Sequence, residues 1–192
     1  IDPLDGTKDF IKKNGEFSVM IGFAVNGEAV VGALYQPTEK LLIYGCVGGD
    51  RGVERDGQPS QTETVSDISE LRESTMIVSR SHFSPLVERA GELFKVKNHI
   101  KMGSVGIKIM QIIMGYADVY FSESNKTKEW DSCAPDAVLH SFGGIFTDSR
   151  GLPQLYNKND CSNPYGILAT NGILHKSAVD KLKPICQDLN WK

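Results

Sequence analysis

The sequence is short of several things, and each shortage closes off a class of function. It has four cysteines, Cys46, Cys133, Cys161 and Cys186, widely scattered and with no C-x-x-C pair. That argues against a zinc site and fits reduced thiols in a cytoplasmic protein, with a disulfide left open. An excess of one charge is lacking too: 21 Lys and Arg against 24 Asp and Glu leave a net charge of −3. No broad attraction to a nucleic-acid polymer or a membrane surface is implied. No apolar run is long enough to span a bilayer, and no signal-peptide pattern is present. No internal repeat or low-complexity tract is visible. The first residue is Ile rather than Met, inside what reads as the end of a buried strand. The expectation is a fragment that lacks an N-terminal segment.

What is present is a chain of 192 residues, 40% hydrophobic, large enough for one large or two small domains. It is organised around its opening stretch, Asp2-Pro3-Leu4-Asp5-Gly6-Thr7-Lys8. Pro3 fixes its own φ and biases Asp2 toward extended backbone. A strand end turning into a helix start is expected. Two carboxylates then point into one small volume, with a hydroxyl and free backbone N–H groups behind them. Hard divalent cations take such oxygens, usually shared with a substrate phosphate. An ordinary turn with capping aspartates is the competing reading. A second segment favours the metal site: Glu129-Trp130-Asp131-Ser132 places a third carboxylate at a helix start. Three converging aspartates repel one another and raise each other's pKa unless something positive sits between them.

Asp2-Pro3-Leu4-Asp5-Gly6-Thr7 and Trp130-Asp131 together resemble the two signature motifs of the lithium-sensitive, magnesium-dependent phosphatases of the inositol monophosphatase superfamily. Lys8, Ser79-Arg80-Ser81-His82, Gly103-Ser104-Val105-Gly106-Ile107-Lys108 and Trp130 to His140 resemble its 3′(2′),5′-bisphosphate nucleotidase, or CysQ-like, branch. The likeness runs through nearly the whole chain in order. It implies an α/β (α+β) chain with the layered αβαβα sugar-phosphatase-type fold, here without its N-terminal portion. The expected division is 1–74, carrying the first motif, and 75–192, carrying the second motif and the nucleotide contacts.

The resemblance also implies roles. Asp2, Asp5, Asp131 and the backbone carbonyl of Leu4 are expected to ligate Mg²⁺, two or three ions in the complete enzyme. Thr7 and Asp5 are the expected catalytic residues, with Thr7 relaying a proton. Gly6, Thr7, Ser79, His82, Ser104, Lys108 and Asp131 are expected to contact substrate, Lys108 neutralising the phosphate that is not cleaved. Taken without the family, Thr7 reads as a helix N-cap, His82 as a loop histidine and Lys108 as a solvated helix lysine. Trp130 is expected to pack as an anchor that orients Asp131, and Arg80, Lys12 and Lys13 to be solvated. In the family a metal-ligating Glu and a water-orienting Asp or Thr lie upstream of this point. The isolated chain is therefore expected to hold Mg²⁺ weakly and turn over poorly.

The implied reaction is hydrolysis of 3′-phosphoadenosine 5′-phosphate to AMP and phosphate, in sulfate assimilation or nucleotide salvage. The implied partner is a small bisphosphonucleotide, with oligomeric state open. Two other readings remain: an inositol phosphate phosphatase with the same metal chemistry, and a non-catalytic fragment that binds nucleotide or metal.

Local patterns predict the elements. Phe17 to Val25 and Glu28 to Tyr35 flank Asn26-Gly27 as a hairpin, and Lys40 to Cys46 and Gly52 to Arg55 extend it into a meander. Further strands are expected at Thr75 to Ser79, Ile100 to Gly103, Asp118 to Ser122, Ile145 to Thr147 and Gly166 to Thr170. Helices are expected at Pro85 to Phe94, Val105 to Tyr116, Asp131 to Phe142, and Ala178 to Ile185, the last interrupted or bent near Pro184.

Overall fold

The computed structural model describes residues 1–61, 64–81, 83–123 and 125–188. The first sheet is the predicted meander. β1 (Asp2–Asp5), β2 (Ser18–Val25), β3 (Glu28–Gln36), β4 (Leu41–Cys46), β5 (Arg51–Arg55) and β6 (Gln58–Pro59) lie side by side in sequence order, all antiparallel. A short helix, α1 (Thr7–Ile11), follows β1. Asn26 and Gly27 turn the hairpin with φ of 53° and 87°, the left-handed pair that a tight hairpin needs.

The second sheet is mixed. β7 (Thr75–Ser79), β8 (Asn98–Met102), β9 (Val119–Ser122), β10 (Ile145–Thr147) and β11 (Ile167–Thr170) stand in the order β10-β11-β9-β7-β8. β7 is parallel to both β8 and β9, whereas β11 is antiparallel to β9 and β10. The helices are α2 (Pro85–Phe94), α3 (Val105–Ile113), α4 (Glu129–Ser141) and α5 (His175–Asp188). Ser84 starts α2 as predicted, its hydroxyl accepting the Val87 N–H at 3.2 Å with Pro85 next.

Strand alternation splits the interior in two. Ile77, Tyr120, Ile167 and Ala169 face a core shared with Met20, Leu34 and Ile43 of the first sheet and Ile109 and Val138 of α3 and α4. Met76, Val78, Val119, Phe121 and Leu168 face the other way, onto Val87 and Phe94 of α2 and Ala178 and Leu182 of α5. The layers run sheet, helices, sheet, helices. The far face of the first sheet carries exposed Ile21, Phe23 and Val31.

Two helices depart from expectation. α3 stops at Ile113 instead of Tyr116, because Gly115 turns left-handed at φ 73° and the Tyr116 N–H closes onto the Gln111 carbonyl at 2.9 Å. α5 begins at His175 and runs through Pro184 without interruption. Pro184 itself is exposed, while Leu182 and Ile185 on either side are fully buried and hold the helix down.

The feature that positions the site is a row of glycines. Gly22, Gly32 and Gly45 are cross-strand partners on β2, β3 and β4. A Cβ on Gly22 would stand 2.6 Å from the Ala134 nitrogen, one on Gly32 would stand 2.5 Å from the Ala134 oxygen, and one on Gly45 would run into the Ser141 side chain. Glycine weakens a strand, and here it opens a trough in which the α4 backbone lies against the sheet. Asp131, one turn before Ala134, is thereby delivered to β1. Replacing Gly32 with Ala is expected to lower stability by about 1–3 kcal/mol through overpacking against backbone. Urea unfolding measures this; an unchanged midpoint would contradict the trough.

His175 supplies a second test. It is buried between the hydroxyls of Thr147 and Thr170, each 3.2 Å from a ring nitrogen. Burial, with His140 nearby, lowers its pKa from 6.5 to about 4. The folded chain keeps the ring neutral while the unfolded chain takes up a proton, so this contribution to stability is present above pH 6.5 and is lost as pH falls toward about 4. His175→Gln is expected to lose less stability than the wild type between neutral pH and that lower limit, read from unfolding curves at both ends.

Candidate active site

Asp2 and Asp5 from β1 and Asp131 from α4 each bring a carboxylate oxygen to one place, all within 4.8 Å of one another. A backbone N–H aims each group. Leu4 donates to Asp2 at 3.0 Å, Gly106 to Asp5 at 3.0 Å, and Lys128 to Asp131 at 2.6 Å. The last of these is a helix-start contact, in which the third residue of α4 reaches back to the amide before it.

The cluster is electrostatically uncomfortable. Burial, foremost, pushes the Asp131 carboxyl up from 3.8 to about 6; the Lys128 N–H opposes this, and the charges of Asp5 and Asp2 add to it. Asp2 is raised as well, chiefly by burial, against the pull of its bond from Leu4. Mutual repulsion therefore acts in the expected direction, but desolvation is the larger effect. A cation would relieve both. An all-oxygen donor set suits Mg²⁺, Ca²⁺ or Mn²⁺ in preference to softer metals. The residues present fit a hard divalent ion.

Beside the cluster lies a cavity of about 250 Å³, lined among others by Asp5, Gly6, Thr7, Lys8, Ser79, Ser104, Lys108, Tyr120, Lys126 and Asp131. It sits at the carboxyl ends of β7, β8 and β9. The chain leaves β7 for β8 on one side and returns through α3 to β9 on the other. A crevice at such a switch point is where open α/β sheets bind ligands.

Several predicted residues meet there with altered detail. Gly6 holds the position before α1 at φ 89°, and Thr7 is the first helical residue rather than the cap. The Thr7 hydroxyl donates to the Leu4 carbonyl at 3.1 Å, leaving that oxygen a second lone pair. Ser79 ends β7 at the cavity wall. Lys108 is not a solvated lysine. It is 2% exposed, and its Nζ donates to the carbonyls of Ser104 at 2.6 Å and Gly103 at 3.3 Å. Burial lowers its pKa to about 8, against the opposing pull of Asp5, Asp9, Glu16 and Asp131. His82 lies outside the described residues.

Two expectations are corrected. Trp130 is 46% exposed, so the Lys128 amide, not a packed indole, orients Asp131. Arg80 is not simply solvated. It pairs with both oxygens of Glu16 and donates to the Lys101 carbonyl at 2.7 Å. Glu16 in turn accepts the Gly103 N–H at 2.7 Å, so the pair clamps the loop that leads into α3. Sequence reasoning also passed over Asp9, a buried carboxylate on the cavity wall that accepts from Asn14 at 2.7 Å. Its place four residues after Asp5, in the first turn of the short helix after β1, was the available signal. Tyr120, on the same wall, gave none: an aromatic in a strand reads as core.

The profile of the inositol monophosphatase family matches residues 1–185. The chain belongs to the inositol monophosphatase family. The 3′(2′),5′-bisphosphate nucleotidase 1 of Rattus norvegicus is 32% identical over 88% of this chain and 56% of its own length. The solved structure of CysQ from Bacteroides thetaiotaomicron is 32% identical with a TM-score of 0.73, over 88% of this chain and 68% of that one. The solved inositol monophosphatase from Anabaena (Nostoc) sp. PCC 7120 is 28% identical with a TM-score of 0.77, over 96% of this chain and 70% of that one. The chain thus spans a little over half the length of the curated nucleotidase. The sheet, helices, sheet, helices order agrees with the layered fold of the structural neighbours. Among the described residues no helix is long and apolar enough to cross a membrane.

For a member of this family, Asp131→Asn should have two opposite effects. Divalent-cation affinity should fall at least about ten-fold, as loss of an anionic ligand implies. The cation-free chain should become more stable, because a buried charge beside two like charges is removed. Calorimetric titration with Mg²⁺ and thermal unfolding in chelator read the two. Unchanged affinity would rule Asp131 out as a ligand.

Proposed function

We propose that this chain carries the metal-binding and nucleotide-binding parts of a Mg²⁺-dependent phosphomonoesterase that converts 3′-phosphoadenosine 5′-phosphate to AMP and phosphate, clearing a by-product of sulfate transfer. One observation carries the reading. One cavity is lined by the carboxylates Asp5, Asp9 and Asp131, with Asp2 behind them, and by the lysines Lys8, Lys108 and Lys126. That arrangement gives one phosphate a cation-assisted position and a second phosphate a lysine. The likeness to the rat nucleotidase and to CysQ supports it.

A divalent cation bound by Asp2, Asp5, Asp131 and the Leu4 carbonyl would supply Lewis acidity and neutralise the phosphoryl oxygens. The chain's own contributions are positional. Gly6, lacking a side chain, lets a phosphoryl oxygen approach the backbone. Thr7, held on the Leu4 carbonyl, is placed to relay a proton as water attacks phosphorus in line. The bond from phosphorus to the ribose 3′-oxygen breaks, and that oxygen takes up a proton. Lys108, fixed by two carbonyls, neutralises the phosphate that stays.

Hydrolysis of an inositol phosphate is the second reading, supported by the likeness to the Anabaena enzyme. It makes less use of the lysines. Binding of the two ligands with Mg²⁺, and phosphate release from each, discriminate. The bisphosphonucleotide should bind at least about ten-fold tighter than inositol 1-phosphate, the equivalent of one charged hydrogen bond. Lys108→Met should weaken nucleotide binding about ten- to hundred-fold and leave inositol 1-phosphate nearly unaffected. Preference for the inositol ester would overturn the substrate assignment.

A further inference from the structure

We infer that Ser104 and Ser18 are positioning residues that aim Asp5 at the cation, and that Ser104 makes no contact with the nucleotide. The inference rests on the metal reading above and gives Ser104 a different role from the substrate contact expected of it.

Ser18 lies directly across from Asp5 in the pairing of β2 with β1. Ser104 ends the loop from β8 and starts α3. Ser104 and Ser18 are 6% and 0% exposed. The Ser104 hydroxyl lies 2.6 Å from Asp5 Oδ2, which also accepts the Gly106 N–H at 3.0 Å. An ionised carboxylate only accepts, so the single proton of Ser104 is committed to Asp5. The lone pairs of Ser104 are taken by the Ile107 N–H at 3.1 Å and by the Ser18 hydroxyl at 2.8 Å. With the proton of Ser104 spent, Ser18 is the donor in that pair. The direction of the chain is therefore fixed: Ser18 to Ser104 to Asp5. Ser104 is then saturated, one proton given and two lone pairs filled, with no capacity left for a ligand. Oδ2 of Asp5 is held by two donors, which leaves Oδ1 to serve the cluster.

Backbone geometry points the same way. Ser104 sits at φ 49° and ψ 132°, a conformation open to glycine and rarely taken by a residue with a Cβ. A side chain kept against that strain is kept for its hydroxyl. Gly106 completes the arrangement, since a Cβ there would collide with the Ser18 hydroxyl.

A helix cap alone would also explain a serine before α3, and the test separates the two. Mn²⁺ binding to the 192-residue chain is followed by electron paramagnetic resonance, and unfolding midpoints are measured in chelator. Ser104→Ala and Ser104→Gly should each weaken Mn²⁺ binding about ten- to hundred-fold, the usual effect of removing a partner of a metal ligand. Ser104→Gly should keep its midpoint closer to wild type than Ser104→Ala, because it relieves the backbone. Ser18→Ala should weaken Mn²⁺ binding less, and should add nothing in the Ser104→Ala background, where the chain is already cut. Lower midpoints with unchanged Mn²⁺ affinity would reduce Ser104 to a cap and overturn the proposal. So would unchanged Mn²⁺ affinity with weakened AMP binding. Absence of Mn²⁺ binding by the wild-type chain would overturn the metal reading itself, and the positioning role with it.

Discussion

A helix backbone pressed into a sheet is the contact on which the rest depends. Three carboxylates placed together under partial burial are unfavourable, and the few donors that aim them do not by themselves bring Asp131 to β1. The force that does so is the seating of α4 along Gly22, Gly32 and Gly45, with Val138 and Leu139 buried behind it in the core between the two sheets. That burial fixes Asp131 with respect to β1, and the Lys128 amide fixes its direction. Packing free energy thus maintains an electrostatic arrangement that only a bound cation makes comfortable. The site is a small reservoir of unfavourable charge, held ready for a ligand of opposite sign.

The second sheet adds what the first cannot. Its parallel strands end at the same wall, and the return from β8 through α3 brings Ser104 and Lys108 to opposite duties within one helical turn. Ser104 faces Asp5. Lys108 turns back onto the carbonyls of Gly103 and Ser104 and lines the cavity. The Glu16–Arg80 pair, with Glu16 on the Gly103 amide, ties this turn to the segment after α1. Asp5 and Lys108, two of the charged groups of the cavity, are in this way braced by the same few residues, Gly103 and Ser104 among them.

Much of this was legible in the chain. Asn26-Gly27 between two β-branched runs, Ser84-Pro85 before an amphipathic stretch, and the paired Asp2 and Asp5 around Pro3 each state their local geometry, and the structure has it. What was not legible depends on contacts distant in sequence. A glycine inside a strand reads as a weakness until the helix that lies on it is known, and Ala134 stands 112 residues from Gly22 and 102 from Gly32. Lys108 reads as solvated because its helix has no visible buried acid; its partners are carbonyls of the preceding turn. Trp130 reads as an anchor because large aromatics are usually buried, yet a backbone amide does the orienting. Arg80 finds Glu16 across 64 residues, a separation that no local pattern reveals. Pro184 does not interrupt α5, because buried neighbours on both sides outweigh one missing hydrogen bond.

The central claim is that Asp2, Asp5 and Asp131 close around one cation. The most direct measurement is the anomalous scattering of Mn²⁺ soaked into crystals of the chain. The account predicts a peak bounded by all three carboxylates, with metal–oxygen distances of about 2.0–2.4 Å. A structure with Mn²⁺ bound elsewhere, or with Asp131 turned away from a peak held by Asp2 and Asp5 alone, would contradict it.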